Sequence, residues 1–506
     1  MKRMFGLFLL AMFCVLSINA QPIPLNFKAK ILKGGGKGNY CKVVGVEHRI
    51  KVALPGSKDL VDEYYMLYLN PKDTLKQEAE LITNKLENNY EFQPQTMQEL
   101  WDVAQLCHVF NELGFRGMQS SLRREMETDA LRVMGKIRES GLEFHDPYVE
   151  SYIYGLIAKI APKTYLDARP YDLNLMIVMD DEMNASTYPN GTMILNTGLL
   201  SGLHTEDELV AILAHEIAHF VLDHSIYNVN KMKDRKENEI FWTSILTGLT
   251  AFADVALAVN TDCYMPGFAT LGMAAFSSVV GEEIVEYLGM KYNHEQELEA
   301  DRYACDVLRL LGYDENALAT ALTRIRNHYD RERDVSLYLN SETHPDLLTR
   351  LAYCGNPQQV KDVKFERCIS TVVTCTARLK YSYRSRFRQC IELVDQNILN
   401  HVADVDDYIL KSRCLIALED TPESNAEALS LVARAKELEP DNINIFKSEI
   451  IASLRLGMND QARELLLTYI QRLKAMDDSL VGGTTQIFTM KELRWARQML
   501  VKLQVV

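Results

Sequence analysis

The sequence predicts a mainly α chain with a small β-sheet, an α+β organisation, and three observations carry that expectation. Long stretches repeat apolar residues at helical spacing, as at Leu100, Val103, Ala104, Cys107 and Phe110, which lines one face of a helix. Shorter stretches cluster Val, Ile and Leu beside Gly or Pro-Asn-Gly, the mark of strands and tight turns. With 506 residues of which 47% are hydrophobic, the chain buries a large core and is too long for one compact unit, so two or three domains are expected.

The first twenty residues read as a secretory signal peptide. Lys2 and Arg3 precede an apolar run from Met4 to Leu16, and Ser17-Ile18-Asn19-Ala20 ends on a small residue before Gln21, so the chain is expected to be exported, periplasmic or secreted. The run is shorter than the roughly 20 residues a membrane span needs, which favours cleavage over an uncleaved anchor. Phe13 before Cys14 lacks the small residue of a lipoprotein signal.

Residues 21–145 are expected to form an N-terminal region. It is β-rich to about Pro55, around Gly34-Gly35-Gly36, and then helical from Leu60 to Gly141. No Gly-Lys-Ser/Thr follows those glycines, so they form a flexible turn and not a phosphate loop. A different texture fills residues 146–355: an amphipathic helix over Tyr148 to Ile160, a strand over Leu173 to Met179, and a hairpin over Asn184 to Leu200 whose turn is Pro189-Asn190-Gly191. A helical connector is expected over 356–400. In 401–506, Ala428, Leu431, Ala435 and Pro440 recur ~34 residues later as Ala462, Leu466 and Tyr469, which resembles the tetratricopeptide pattern of stacked helical hairpins.

A formal net charge of -14 leaves no basic stripe to neutralise phosphates, which excludes nucleic acid as a partner. Beyond the leader, nine cysteines lack any CxxC spacing, so one or two disulfides with buried free thiols are expected.

Chemistry concentrates on Leu203 to His224. Thr205-Glu206-Asp207-Glu208 reads as a capping box, starting a helix near Glu206 on which His215 and His219 project from one face. His215-Glu216-Ile217-Ala218-His219 is an HExxH motif: two neutral nitrogens for one zinc ion, and Glu216 as a carboxylate that contacts a water without ligating the metal. His224, nine residues past His215, is expected to point away and to serve structure alone. A third ligand is sought in His294-Glu295-Gln296-Glu297-Leu298-Glu299-Ala300-Asp301. Glu297 and Asp301 share a face while Glu299 lies about 200° from Glu297. Asp301 is therefore placed to accept from a ligand histidine's second nitrogen, and Ala300 and Ala304 let the two helices approach. Between these helices, Phe241 to Val259 and Met265 to Val280 are strongly apolar, but Asp254 and Pro266 interrupt them. Burial against the core or a peripheral membrane contact is expected over true spans.

Four elements in order resemble the gluzincin metallopeptidases of the HtpX, CAAX-prenyl-protease and BepA group: Asn184-Ala185 with the Gly198-Leu199-Leu200 end of the hairpin, His215 to His219, Glu297 to Asp301, and Thr343-His344-Pro345 followed by Arg350. The likeness covers Asp146 to Tyr353, and an exported chain with a helical repeat tail looks most like the BepA-type members. Ser186-Thr187-Tyr188 departs from the bulkier apolar residues usual there.

The resemblance implies a zincin-type metallopeptidase domain followed by a tetratricopeptide-like region. It implies one zinc held by His215, His219 and Glu297, Glu216 as general base, Asp301 in support, and Asn184 and Ala185 against an extended protein or peptide substrate. His344 is left between plugging the metal and steadying the tetrahedral intermediate, and Arg350 between bracing that loop and carrying charge. The expected function is hydrolysis of unfolded or misassembled envelope proteins, with the C-terminal repeats holding substrate or an assembly partner. The rival is a chaperone-like binding module whose zinc site stays closed.

Overall fold

The computed structural model describes residues 23–34, 36–52, 60–83, 86–113, 131, 134–135, 137–138, 141–161, 173–188, 190–225, 292–332, 347–384, 386–479 and 484–504. The expected signal peptide, the apolar stretches of 241–280 and His344 lie outside them. Among the described residues the chain is mainly helical with two small sheets, the predicted α+β class, and no helix there is long and apolar enough to cross a membrane.

The N-terminal sheet contains β1 (Ile23–Ile31), β2 (Tyr40–Val52), β3 (Leu60–Asn70), β4 (Asp73–Leu81) and β5 (Tyr90–Phe92), ordered β4-β3-β2-β1-β5 and antiparallel throughout. Leu25, Phe27, Ala29 and Ile31 alternate inward because successive strand residues face opposite sides. Residues 60–81 correct the helical expectation. Their run of Tyr64-Tyr65-Met66-Leu67-Tyr68 is rich in aromatic residues, which favour strands, and a short apolar run has no period that separates strand from helix. The reversal between β3 and β4 is local: the Asn70 side-chain oxygen accepts from Lys72 N at 2.7 Å and Asp73 N at 3.3 Å, an Asx turn.

Helix α1 (Met97–Leu113) lies beneath this sheet, with Val103 and Leu106 in its core. Its Met97, Leu100, Trp101 and Ala104 belong to the main core of the molecule. There the Trp101 indole donates to Ile160 O at 2.7 Å, at the end of α2 (Pro147–Ile160).

The second sheet holds the hairpin. Strand β6 (Asn174–Val178) runs parallel to β8 (Thr192–Asn196), and β7 (Ala185–Thr187) pairs antiparallel with β8 on its other side, in order β6-β8-β7. Gly191 at φ +79° makes the reversal, a conformation that costs glycine little. The Gly198-Leu199-Leu200 end is not strand but the start of α3 (Thr197–Gly202). A Cβ on Gly198 would sit 2.3 to 2.6 Å from the main chain of Asp181 and Glu182, so this approach requires glycine.

Then come α4 (Glu206–Val221), α5 (His294–Leu311), α6 (Ala317–Glu332) and α7 (Leu347–Tyr353). Helices α4 and α5 meet through small buried residues, Ala214 and Ala218 on one and Ala300 and Ala304 on the other. Helices α8 (Val363–Cys368) and α9 (Ser370–Arg384) place Phe365, Ile369, Val372 and Val373 in the same core.

From α10 (Phe387–Leu399) the chain continues as α11 (Val405–Leu418), α12 (Pro422–Leu438), α13 (Ile445–Arg455), α14 (Asn459–Ser479) and α15 (Thr484–Gln504), each packed on its predecessor. Ala428, Leu431, Ala435, Ala462, Leu466 and Tyr469 are buried, and Gly457 at φ +74° lies in the turn between α13 and α14. The described Cys41, Cys305, Cys354, Cys368, Cys375, Cys390 and Cys414 are free thiols, so the disulfides expected from the cysteine count are not formed among these residues.

Candidate metal centre

Helix α4 is anchored at its acidic first turn, where carboxylates also oppose the positive end of the helix dipole. Thr205 caps it, its hydroxyl accepting from Glu208 N at 3.1 Å. The Glu208 carboxylate accepts from His204 N and from Arg324 Nε, each at 2.9 Å. It thus binds one residue before the cap instead of closing the predicted capping box. Glu206 accepts from Tyr152 OH at 2.7 Å and Tyr313 OH at 2.8 Å, tying α2 and the loop after α5 to the same turn. Helix α5 starts with a full capping box between Asn293 and Gln296 and ends on Gly312 at φ +76°.

On this frame His215 Nε2 and His219 Nε2 stand 3.0 Å apart, an approach that the four-residue spacing on one helix face allows. From α5, Glu297 Oε2 comes to 3.6 Å of His215 Nε2 and Oε1 to 3.5 Å of His219 Nε2. One ligand atom from each of the three residues lies within 4.8 Å of the others. His215 Nδ1 is 2.9 Å from Asp301 Oδ1. That contact calls for a proton on Nδ1, which leaves Nε2 as a lone pair aimed into the cluster. Two nitrogens and one carboxylate around a single point are a donor set that fits zinc, with a fourth position open.

Arg350, from α7, enters from behind at 2% exposure. Its Nε and Nη2 each donate to Asp301 at 2.7 Å, and Nη1 lies 2.6 Å from Glu297 Oε2. Burial raises the Asp301 pKa, but the Arg350 guanidinium and then His215 outweigh it and hold the carboxyl well below the usual range. Burial lowers the Arg350 pKa, but Glu297 and Asp301 outweigh it and hold the guanidinium above its ordinary value. Arg350 thus pairs with both carboxylates of α5, while the loop of His344 lies outside the described residues.

Glu216, 2% exposed, lies against β7, where Thr187 Oγ1 donates to its Oε2 at 3.3 Å. Ala185 pairs with Leu195, and Asn184 O accepts from Asn196 N at 3.1 Å, so both belong to the hairpin that carries Thr187. No described strand pairs with the outer edge of β7. The sequence marks Thr187 only within Ser186-Thr187-Tyr188, as a departure from bulkier apolar residues, and gives it no role, because only the packing of β7 on α4 brings it to Glu216.

His224 corrects its expected position. Helix α4 ends at Val221 and Asp223 takes φ +53°, so the chain doubles back and puts His224 Nδ1 2.8 Å from His219 Nδ1. Tyr292, just before α5, stacks on the His219 ring with centroids 3.7 Å apart.

Residues 147–356 match the model of peptidase family M48. The chain is similar to the beta-barrel assembly-enhancing protease of Escherichia coli O157:H7, 26% identical over 243 residues, which cover 47% of this chain and 45% of that protein. It is similar also to the putative beta-barrel assembly-enhancing protease of Vibrio cholerae, 25% identical over 196 residues, 39% of this chain and 37% of that protein. A third relative is the metalloprotease YcaL of Escherichia coli strain K12, 23% identical over 191 residues, 37% of this chain and 63% of that protein. The chain thus spans less than half the length of the first two.

Proposed function

We propose that this chain, whose residues 147–356 match the model of peptidase family M48, is a zinc-dependent metalloendopeptidase of the cell envelope that hydrolyses unfolded or misassembled proteins. The observation that carries the proposal is the convergence of His215, His219 and Glu297, none more than 3% exposed, with Glu216 beside them. Zinc, when bound there, supplies Lewis acidity that polarises a carbonyl and lowers the pKa of a water to about 7.

Every other part of the reaction belongs to the chain. The Glu216 carboxylate takes the proton of the attacking water and delivers it to the departing amine nitrogen. Thr187, donating to Glu216 Oε2, holds that carboxylate in one orientation. His215 and His219 present Nε2, and Asp301 keeps the His215 proton on Nδ1. The outer edge of β7 takes an extended peptide as an added strand. Its main-chain groups then read backbone more than side chains, which suits protein substrates of varied sequence.

The helices of 401–506 supply the surface for substrate or an envelope assembly partner, as their tetratricopeptide-like repeat suggests. A peripheral membrane contact by 241–280 is compatible with an exported chain. His344 is proposed to plug the metal or steady the tetrahedral intermediate.

Glu216→Gln should lower casein cleavage by the purified chain at least ~100-fold, the lower range for loss of a general base, with zinc content by elemental analysis unchanged. Equal cleavage by variant and parent overturns the catalytic assignment. A parent that binds zinc without cleaving, and a variant that restores function to cells lacking the protein, establish the chaperone-like module instead.

A further inference from the structure

We propose that His224 is a positioning residue that fixes the tautomer of His219 and thereby sets zinc affinity; the inference rests on the metal-site reading above. His219 Nε2 faces His215 and Glu297 at 3.0 and 3.5 Å. If that nitrogen is the ligand atom, it has no proton, and a neutral imidazole then carries its proton on Nδ1. The group facing His219 Nδ1 is His224 Nδ1, at 2.8 Å with both rings buried. Two N–H groups cannot point at each other, so His219 donates and His224 accepts. His224 in turn carries its proton on Nε2, which lies 3.4 Å from Glu299 Oε2.

Tautomer and direction are therefore fixed along a chain from Glu299 through His224 to His219. This gives Glu299, which the helical wheel turns away from the metal, a place behind the second histidine.

The turn holds His224 for this task. Its carbonyl accepts from Gln296 Nε2 at 3.4 Å, and Ser225 Oγ lies 3.0 Å from Tyr292 OH. Because Tyr292 stacks on His219, residues 222–225 support the ring edge through His224 and its face through Tyr292. A ligand imidazole whose second nitrogen has a defined acceptor is oriented before the metal arrives, and loss of such a partner typically costs 10- to 100-fold in affinity.

The test measures zinc affinity of the purified full chain by competition with a chromophoric chelator, and the melting temperature of the metal-free form. His224→Ala should weaken zinc 10- to 100-fold, while His224→Asn, whose side-chain oxygen can take the place of Nδ1 as acceptor, should stay within about threefold of the parent. Unchanged affinity in His224→Ala overturns the proposal, as does a loss in His224→Asn equal to that of alanine. A lower metal-free melting temperature with unaltered affinity assigns His224 to structure alone and overturns it too. A parent that binds no zinc sinks the metal-site reading itself. On the zinc-loaded parent, nitrogen NMR of labelled histidine should place the His224 proton on Nε2. A proton on Nδ1 overturns the proposal without recourse to any variant.

Discussion

The two histidines of the site are backed by unlike structures. Behind His215, Asp301 is clamped through both oxygens by Arg350, itself 2% exposed and also paired with Glu297. Behind His219, contact runs through a second imidazole to Glu299, whose side chain is 29% exposed. One arm is thus a buried ionic cluster in which every charge needs its partner. The other is a relay that ends near solvent, where water replaces a lost carboxylate at little cost. Similar ligands can be held by interactions of very different energy, and the difference orders the effects of substitution.

The largest effect is expected at Arg350. Arg350→Met leaves Glu297 and Asp301 as two buried carboxylates without their cation, which should cost roughly 3–5 kcal/mol, read from chemical denaturation of the metal-free chain. Added zinc should recover part of that loss, because a dication again opposes Glu297. A change below about 1 kcal/mol would show that the arms do not differ as described.

Next comes acid. Since the Asp301 pKa is depressed in the folded state, its stabilisation is fully present above the unfolded aspartate value of about 3.9. It is lost as pH falls below that value toward the folded one. Melting temperature of the metal-free parent should therefore drop more steeply between pH 5 and pH 3 than that of Asp301→Asn, which starts lower at pH 7. Parallel slopes would remove the titration of Asp301 from the account.

The smallest effect is expected at Glu299. Glu299→Gln retains an acceptor at the end of the relay, so stability should change by no more than about 0.5 kcal/mol, with zinc bound within about twofold of the parent. A loss as large as that at Arg350 would make the two arms equivalent and break the comparison.

Much was legible along the chain where the information is local. Helical period and the Thr205 cap announce α4, the four-residue step puts His215 and His219 on one face, and Pro189-Asn190-Gly191 marks the reversal between β7 and β8. These depend on residues within a turn or two of each other, so short-range geometry suffices. Even the joint between α4 and α5 leaves a trace, since Ala300 and Ala304 are small where two backbones must approach.

Only the assembled molecule decided the rest. Residues 60–81 became strands because β2 pairs with β3 and β3 in turn with β4, a choice that an apolar run with no clear period does not dictate. Arg350 reached Asp301 across 49 residues of chain, Thr187 met Glu216 through the packing of a strand on a helix, and His224 swung back because α4 stops at Val221. By itself the sequence determined which groups could take part and which face of a helix they share. Their meeting was left to tertiary packing, because a contact between distant segments depends on where every intervening element ends and what it rests against.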